Sequence, residues 1–234
     1  MIGILGGMGT QAGLDFCNKL AVLNRGKIDQ KYPLFILYNK SNIPKRPENL
    51  KKYYNVLKSL IKGCHLLQKN RCKFIVMPCN TAHYWYDDLI KKIKIPIISM
   101  PKEVYLHTKK NCKKNSKIGL LSTEATLKTN VYSRYFNKDY KLVSPGKSLQ
   151  KKNVNKAIKY VKMGKIKEAE KILRPAVNYL IKTKCKKIIL GCTELPIAIF
   201  AFKSFKKIKL SKTFLDPNLI LAETSMKNYK NLKS

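Results

Sequence analysis

Two cysteines, Cys79 and Cys192, stand in similar short motifs that can carry acid–base chemistry. Each ends a short apolar run, residues 75–78 or 188–191, and each is followed within two residues by a threonine. A thiol has an ordinary pKa of about 8.5, which a helix N-terminus or a nearby cation lowers, so it can serve as acid or base. Two thiols on opposite faces of one carbon can remove its proton from one side and return one to the other, which inverts a chiral centre.

The remaining cysteines show no pattern of this kind. The chain has seven, at positions 17, 64, 72, 79, 112, 185 and 192, with no C-x-x-C pair. An odd number without such pairs argues against a complete disulfide framework and against a common zinc pattern, so we expect reduced thiols and no metal site. A lone cysteine usually packs as a small buried hydrophobe. What distinguishes Cys79 and Cys192 is their place in the chain.

The elements around the first cysteine predict an α/β fold. Strand and helix signals alternate: a strand at 3–5, a helix from about 11, a strand at 34–38, a helix over 47–69 and a strand at 74–77. This alternation is typical of a mainly parallel sheet with helices on both faces. In such sheets ligands bind outside the carboxyl ends of the strands, which is where Cys79 is expected.

The same order of signals recurs in the second half of the chain. Strand 2–5 returns as 118–121, the run before Cys79 returns before Cys192, and the basic-then-apolar segment 94–97 returns as 207–210. Apolar residues with helical spacing also recur, at Leu50, Leu57, Leu60, Ile61, Cys64 and Leu67, and at Ile166, Ala169, Ile172, Leu173, Ala176, Val177 and Leu180.

The repeat predicts two pseudo-symmetric, Rossmann-like α/β subdomains, each with a mainly parallel sheet. The N-terminal subdomain is expected to hold residues 1–97 with 205–234 packing back on it, and the C-terminal subdomain residues 98–204. If the halves face each other, the equivalent strand ends converge on one cleft, and we expect the active site there. Because Cys79 and Cys192 precede predicted helices, free backbone N–H groups and helix dipoles are expected to favour a thiolate or a substrate carboxylate.

Composition excludes several classes of protein. The net charge is +36, but only five of the 49 basic residues are arginine and the lysines are spread through every segment. Without a basic stripe or a recognisable nucleic-acid motif, we expect no specific nucleic-acid partner. No apolar stretch approaches the roughly 20 residues of a membrane helix, and the start has no basic leader, so a cytoplasmic protein without a membrane partner is expected.

Three motifs resemble the aspartate/glutamate racemase family, and its aspartate racemase branch in particular. They are residues 1–9 (MIGILGGMG), 77–83 (MPCNTAH) and 191–195 (GCTEL), and the resemblance spans nearly the whole chain. The glycine-rich start alone would also suggest a dinucleotide loop, but it lacks the third glycine of G-x-G-x-x-G. Thr10 and residues 99–101 differ from the usual family residues, which bears on substrate choice more than on reaction type.

The resemblance implies a racemase that needs neither pyridoxal nor a metal and uses Cys79 and Cys192 as catalytic acid and base. No cofactor is expected, the substrate is a small acidic amino acid, L- or D-aspartate or glutamate, and the subunits are expected to form a homodimer. The substrate-binding residues implied are Met8, Asn80, Thr81, Thr123, Thr193 and Glu194, with Arg46 and Lys162 as clamps for the side-chain carboxylate.

Some alternatives stay open. Within the same superfamily a hydantoin racemase, a maleate isomerase or a decarboxylase is possible, although retention of both cysteines speaks against the decarboxylase. From another class, a non-catalytic protein that binds through its basic surface is the rival. The residues do not decide between aspartate, glutamate and bulkier amino acids, nor which cysteine serves which enantiomer, nor whether His83 orients the Cys79 loop or transfers protons.

Overall fold

The computed structural model describes residues 1–24, 28–46, 53–200 and 210–232, and within them strands alternate with helices. The strands are β1 (Ile2–Gly6), β2 (Phe35–Asn39), β3 (Phe74–Val76), β4 (Ile97–Ile98), β5 (Lys117–Ser122), β6 (Lys141–Val143), β7 (Lys187–Gly191) and β8 (Phe214–Leu215). The α-helices are α1 (Thr10–Val22), α2 (Tyr53–Lys69), α3 (Tyr86–Lys92), α4 (Met100–Asn111), α5 (Glu124–Lys128), α6 (Ser133–Phe136), α7 (Lys147–Leu149), α8 (Lys156–Lys162), α9 (Ile166–Lys182), α10 (Leu195–Phe200), α11 (Leu210–Thr213) and α12 (Pro217–Asn231). Two short 3-10 helices cover Asp29–Lys31 and Thr81–Trp85, and a π-helical turn covers Gln150–Asn155. In the described ranges, no helix is both long and apolar enough to cross a membrane.

The first sheet has the strand order β2-β1-β3-β4, and all its pairs are parallel. Its inner strands β1 and β3 are buried along their whole length, as parallel strands covered on both faces must be. On one face, α2 packs through Leu60, Cys64 and Leu67, which confirms the predicted apolar stripe of this helix. Helices α1 and α12 cover the other face, for example through Phe16 and Leu221.

The second sheet has the order β6-β5-β7-β8, and it too is entirely parallel. The order is the same as in the first sheet, with β5 in the place of β1 and β7 in the place of β3. The apolar face predicted for α9 is confirmed, since Leu173, Val177 and Leu180 are fully buried in the core of this sheet. Two repeated α/β halves, as the sequence predicts, are therefore present.

The chain divides into two compact units, Met1–Glu103 with Asn218–Ser234, and Val104–Pro217. Both divisions fall later in the chain than the expected limits of 97/98 and 204/205. The second division is later because β8 pairs with β7, which keeps the chain in the second unit as far as Pro217. Only then does α12 return to the core of the first unit.

One pairing of the sequence repeat is wrong. The repeat matched segment 94–97 with segment 207–210. Ile97 is the first residue of strand β4, but its counterpart Leu210 is the first residue of helix α11, and residues 207–209 lie outside the described residues. The strand equivalent to β4 is β8, because each is the edge strand at the end of its sheet order, β4 beside β3 and β8 beside β7. The predicted ends of the other strands and helices differ little from those in the structure. The first part of the helix predicted over 47–69, including Leu50, lies outside the described residues.

Candidate functional site

Cys79 and Cys192 follow equivalent strands. Cys79 comes shortly after the end of β3 and Cys192 directly after the end of β7, and β3 and β7 hold the same place in their sheets. Both cysteines are largely buried, with 6% and 7% of their surface exposed. Each thiol therefore lies near the carboxyl end of a central parallel strand in its own unit, the position where ligands bind in this type of sheet.

His83 fastens the Cys79 loop. It lies in the 3-10 helix after Cys79, its Nε2 accepts a hydrogen bond from the backbone N–H of Met100 at 3.0 Å, and its Nδ1 is 3.0 Å from the carbonyl oxygen of Cys79. Because Nε2 accepts, Nδ1 carries the proton and donates a hydrogen bond to the carbonyl oxygen of Cys79. Burial lowers the pKa of His83 to about 4, although hydrogen bonds with the backbone of Cys79, Ile98 and Asn80 act in the opposite direction. With both ring nitrogens occupied, His83 orients the loop as a neutral ring.

Met8 and Arg46 are brought together in the first unit. Arg46 Nη2 donates a hydrogen bond to the carbonyl oxygen of Met8 at 2.6 Å, and Nη1 donates to the carbonyl of Pro44 at 3.2 Å. These acceptors are uncharged, so they hold the guanidinium in place without neutralising it. The glycine-rich turn before Met8 requires Gly7, whose φ is +85° and whose missing Cβ would overlap the backbone of Lys40.

Three of the predicted residues form a row in the second unit. The Sγ atom of Cys192 donates a hydrogen bond to Oε2 of Glu194 at 2.9 Å. The other carboxylate oxygen, Oε1, lies 3.5 Å from Nζ of Lys162 at the end of α8. Glu194 is buried, whereas the Lys162 side chain is 55% exposed. The carboxylate thus bridges a buried thiol and a lysine that reaches solvent.

The pKa of Cys192 is raised well above its usual value. Burial is the largest cause, followed by the charge of Glu194 and the hydrogen bond to its carboxylate. A hydrogen bond with the backbone of Glu194 and, after it, the charge of Lys162 lower the pKa and oppose these effects. The expected help from backbone N–H groups is present, since the hydrogen bond with the backbone of Glu194 lowers the pKa of Cys192, but burial and the Glu194 carboxylate outweigh it. The following helix, α10, has only six residues, and the Glu194 carboxylate is in direct contact with the sulfur. Cys192 is a protonated thiol at neutral pH.

The other predicted residues lie at the same strand ends. Asn80, Thr81 and Thr193 are buried directly after the cysteines. Thr123 follows β5 and caps α5, since its Oγ1 accepts a hydrogen bond from the backbone N–H of Thr126 at 3.2 Å. Thr123 therefore stabilises the N-terminus of α5.

Sequence reasoning missed Tyr132. This fully buried residue has a pKa raised well above the usual value, first by burial and then by the charges of Asp216 and Cys192. Its phenol therefore stays neutral beside the Cys192 cluster. No motif signals this neighbour, because it lies in a different segment of the chain from Cys192 and only the fold brings the two into electrostatic contact.

The predicted residues divide between the two units. Met8, Arg46, Cys79, Asn80 and Thr81 belong to the first unit, and Thr123, Lys162, Cys192, Thr193 and Glu194 belong to the second. Within each unit, the basic residue expected to bind the side-chain carboxylate contacts another predicted site residue. Arg46 donates a hydrogen bond to the carbonyl oxygen of Met8, and Lys162 forms an ion pair with Glu194.

Comparison with known proteins agrees with this geometry. Residues 5–224 match the family model described as Asp/Glu/Hydantoin racemase. The chain is 25% identical over 236 aligned positions to the broad specificity amino-acid racemase RacX of Bacillus subtilis (strain 168), covering 98% of both chains. Among solved structures it resembles Picrophilus torridus aspartate racemase, with a TM-score of 0.81 and 29% identity over 98% of this chain and 94% of the other. An aspartate racemase homologue from Pyrococcus horikoshii OT3 gives a TM-score of 0.79 and 25% identity over 98% of each chain. The chain belongs to the Asp/Glu/hydantoin racemase family and is an amino-acid racemase.

Proposed function

We propose that this racemase interconverts L- and D-aspartate, or the glutamate enantiomers, by two-base proton transfer between Cys79 and Cys192 without a cofactor. The observation that carries the proposal is the placement of one cysteine after the third strand of each of two sheets with the same strand order. Either thiol alone would be an ordinary buried cysteine. Matched thiols at equivalent ligand-binding ends supply the two groups that inversion requires.

The proton transfers follow from the state of Cys192. For one enantiomer, the Cys79 thiolate takes the α-proton, and the electron pair of the broken C–H bond remains on the α-carbon and spreads into the carboxylate. Hydrogen bonds from Asn80, Thr81 and Thr193 are proposed to stabilise this charge. The protonated thiol of Cys192 then supplies a proton to the opposite face. The enzyme ends with Cys79 protonated and Cys192 ionised, the form that accepts the other enantiomer.

Arg46 and Lys162 support an acidic substrate. The guanidinium of Arg46 is held by uncharged carbonyl oxygens and keeps its positive charge for a ligand. Arginine binds carboxylates through two parallel hydrogen bonds, and an unpaired carboxylate in a partly closed site would be costly. Lys162 is half exposed and offers a second cation. One relative is named an aspartate racemase and another a broad-specificity racemase, so the preference for acidic side chains is a proposal for this chain.

Deuterium incorporation in deuterated water tests the reaction. Purified protein is incubated with single enantiomers of aspartate, glutamate and alanine, and with a hydantoin and maleate to detect the rival reactions. We expect deuterium at the α-carbon of the acidic amino acids, undiminished by a chelator or by hydroxylamine because the proposal uses neither metal nor pyridoxal.

Single-cysteine variants test the two thiols. Cys79→Ala and Cys192→Ala should each lose racemisation by at least about 10²- to 10⁴-fold, the usual contribution of a general acid or base. Cys185→Ala, a partly exposed cysteine of the second unit, is the matched control and should keep the wild-type rate. Near-normal racemisation by either active-site variant would show that its cysteine is only a packing residue.

A homodimer is also proposed, on the family resemblance alone. The monomer has a mass of 26.9 kDa, so sedimentation equilibrium distinguishes a monomer from a dimer directly. A monomeric enzyme with full activity would contradict this part of the proposal.

A further inference from the structure

The end of strand β5 lies beside Cys192. Ser122 is the last residue of β5 and pairs in parallel register with Gly191, the last residue of β7. The residues that follow them, Thr123 and Cys192, therefore stand at the carboxyl ends of neighbouring strands, whose spacing is about 4.8 Å. Ligands bind at these ends in a parallel sheet. The position of Thr123 relative to Cys192 thus depends on what holds the end of β5.

The side chain of Gln150 is hydrogen-bonded to this strand end. Gln150 is only 4% exposed, and its Nε2 atom donates to the carbonyl oxygen of Ser122 at 2.8 Å and to Oδ1 of Asn155 at 2.9 Å. An amide nitrogen carries two hydrogens, so both are used. The reversed amide would set its oxygen against two other oxygens, and the orientation of the Gln150 side chain is therefore fixed.

Asn155 extends the same network to the residue after Thr123. Its Nδ2 atom donates a hydrogen bond to Oε1 of Glu124 at 2.7 Å. Gln150 thus holds the residue before Thr123, and Asn155 holds the residue after it. Both contacts come from one short segment of the chain, so this segment fixes the backbone on either side of Thr123.

The π-helical turn Gln150–Asn155 is what brings the two amides together. In an α-helix, with 3.6 residues per turn, side chains five positions apart point about 140° away from each other. A π-helical turn is wider and joins residues five positions apart, so Asn155 lies on the same side as Gln150. Such turns are rare and occur mostly at functional sites. The irregular turn therefore directs both amides at the end of β5.

Gln150 is a costly residue with which to fill this core. Among the residues that the structure describes, its buried Oε1 atom has no hydrogen-bond partner. A buried acceptor without a partner is destabilising, and an apolar side chain of similar size would avoid that cost. What an apolar side chain could not provide is the pair of hydrogen bonds to Ser122 and Asn155.

We propose that Gln150 and Asn155 are positioning residues of the racemase, which hold Thr123 beside Cys192 in the orientation that binds substrate. They act through Ser122 and Glu124 and not by contact with the substrate. The inference rests on the proposed function, with Thr123 as a substrate-binding residue, and it adds two residues that lie outside the three sequence motifs. Displacement of Thr123 weakens the binding of substrate and of transition state alike, which raises KM and leaves kcat nearly unchanged.

Two substitutions test the network through the kinetics of aspartate racemisation. Gln150→Leu removes both hydrogen bonds of the amide and should raise KM by about tenfold, the lower end of the usual effect of losing a hydrogen bond to a charged group. Asn155→Asp still accepts from Gln150 but places a carboxylate against Glu124, so KM should rise as well. In neither variant should kcat change appreciably.

A second substitution should rescue Asn155→Asp. In the double variant Glu124→Gln/Asn155→Asp, the new amide donates to the new carboxylate, which still accepts from Gln150, so the network is restored with donor and acceptor exchanged. We expect KM to return close to the wild-type value. Glu124→Gln alone should be close to wild type, because its amide oxygen can still accept from Asn155.

Asn153→Ala is the matched control. Asn153 belongs to the same π-helical turn and is partly buried like Asn155, but its Nδ2 atom donates to the carbonyl oxygen of Ile172 in α9 at 2.7 Å, away from Thr123. This variant should lose stability without a change in KM. Circular dichroism of each variant establishes that it is folded.

The amide hydrogen of Thr126 reports on Thr123 without turnover. It is bonded to Oγ1 of Thr123, and in the first turn of α5 it has no acceptor within the helix. Its exchange with deuterated water, followed by nuclear magnetic resonance, should be faster in Gln150→Leu and in Asn155→Asp. In the double variant and in Asn153→Ala it should be as slow as in wild type.

Three results overturn the inference: an unchanged KM in folded Gln150→Leu, an equal increase of KM in Asn153→Ala, or no recovery in the double variant. Faster Thr126 exchange without a change in KM would refute the role in substrate binding. Wild-type protein that racemises none of the tested amino acids would refute the proposed function, while Thr126 exchange would still decide whether Gln150 and Asn155 hold Thr123 in place.

Discussion

His83 should make the protein lose stability at mildly acidic pH. Its pKa is lowered from 6.5 to about 4 in the folded protein, mainly by burial. Between these values the unfolded chain binds a proton that the folded protein does not, so stability is complete above pH 6.5 and falls as the pH decreases. At about 1.4 kcal/mol per pKa unit, the loss from this residue is about 2 kcal/mol at pH 5 and about 3 kcal/mol near pH 4.

Tryptophan fluorescence is a suitable probe because the chain has a single tryptophan. Trp85 is fully buried and lies in the same 3-10 helix as His83, so its signal follows the unfolding of this part of the first unit. Urea titrations at several pH values between about 7 and 4 give the free energy of unfolding of wild type and His83→Gln. Carboxylates also titrate in this range, so the difference between the two proteins isolates His83. His107→Gln, on a partly exposed residue of α4, is the matched control.

The expected result is a steeper decline for the wild type and for His107→Gln than for His83→Gln. The variant should be less stable at neutral pH, because it loses the bridge between Cys79 and Met100, but its stability should change less with pH. Parallel curves for wild type and His83→Gln would mean that the ring is protonated at little cost, and the neutral bridging role would be refuted.

Three further predictions concern the site and its loops. Arg46→Ala should reduce kcat/KM for aspartate by roughly ten- to a hundredfold while alanine changes little, since a hydrogen bond to a charged group contributes about 1.5–3 kcal/mol; equal losses for both substrates would make Arg46 a structural residue. Gly7→Ala should lower the melting temperature strongly because the added Cβ overlaps the neighbouring backbone at a φ of +85°, whereas Gly146→Ala, with open space around it, should not. Glu194→Gln should shift the pH dependence of Cys192 alkylation to lower pH, because the Glu194 carboxylate raises the pKa of that thiol. Mass spectrometry of the labelled peptide measures the alkylation rate, and an unchanged pH profile would contradict this effect of Glu194.

Much of the fold could be predicted because its signals are local. The apolar runs of β1, β3, β5 and β7 predict strands, and the helical spacing of apolar residues in α2 and α9 predicts which helix faces are buried. The repeat of these signals predicted two sheets. It failed for the last strand, where residues 207–210 were matched with 94–97, because β8 is only two residues long and is preceded by the short helix α11. A strand of that length carries too little pattern to be found.

The electrostatics of the site could not be predicted from the motifs. The run Cys192-Thr193-Glu194 shows that a carboxylate is near the sulfur in sequence, but not that it accepts a hydrogen bond from the thiol. Lys162 ends a helix that packs against the second core, and its contact with Glu194 depends on that packing. The likeness to known racemases pointed to Lys162 as a ligand for substrate, and the structure adds that Lys162 forms an ion pair with Glu194.

The two thiols occupy matching places in the fold, but their neighbours differ, and this difference constrains the kinetics. The neutral ring of His83 is hydrogen-bonded to the Cys79 loop, whereas the thiol of Cys192 is hydrogen-bonded to the carboxylate of Glu194, which raises the pKa of the thiol. Because the enantiomers of an amino acid have equal free energy in solution, the values of kcat/KM in the two directions must be equal whatever the protein does. An unequal environment can therefore affect only the individual kcat and KM values. In the proposed mechanism, one enantiomer reacts with the form in which Cys192 is protonated, and the other reacts with the form in which Cys192 is ionised.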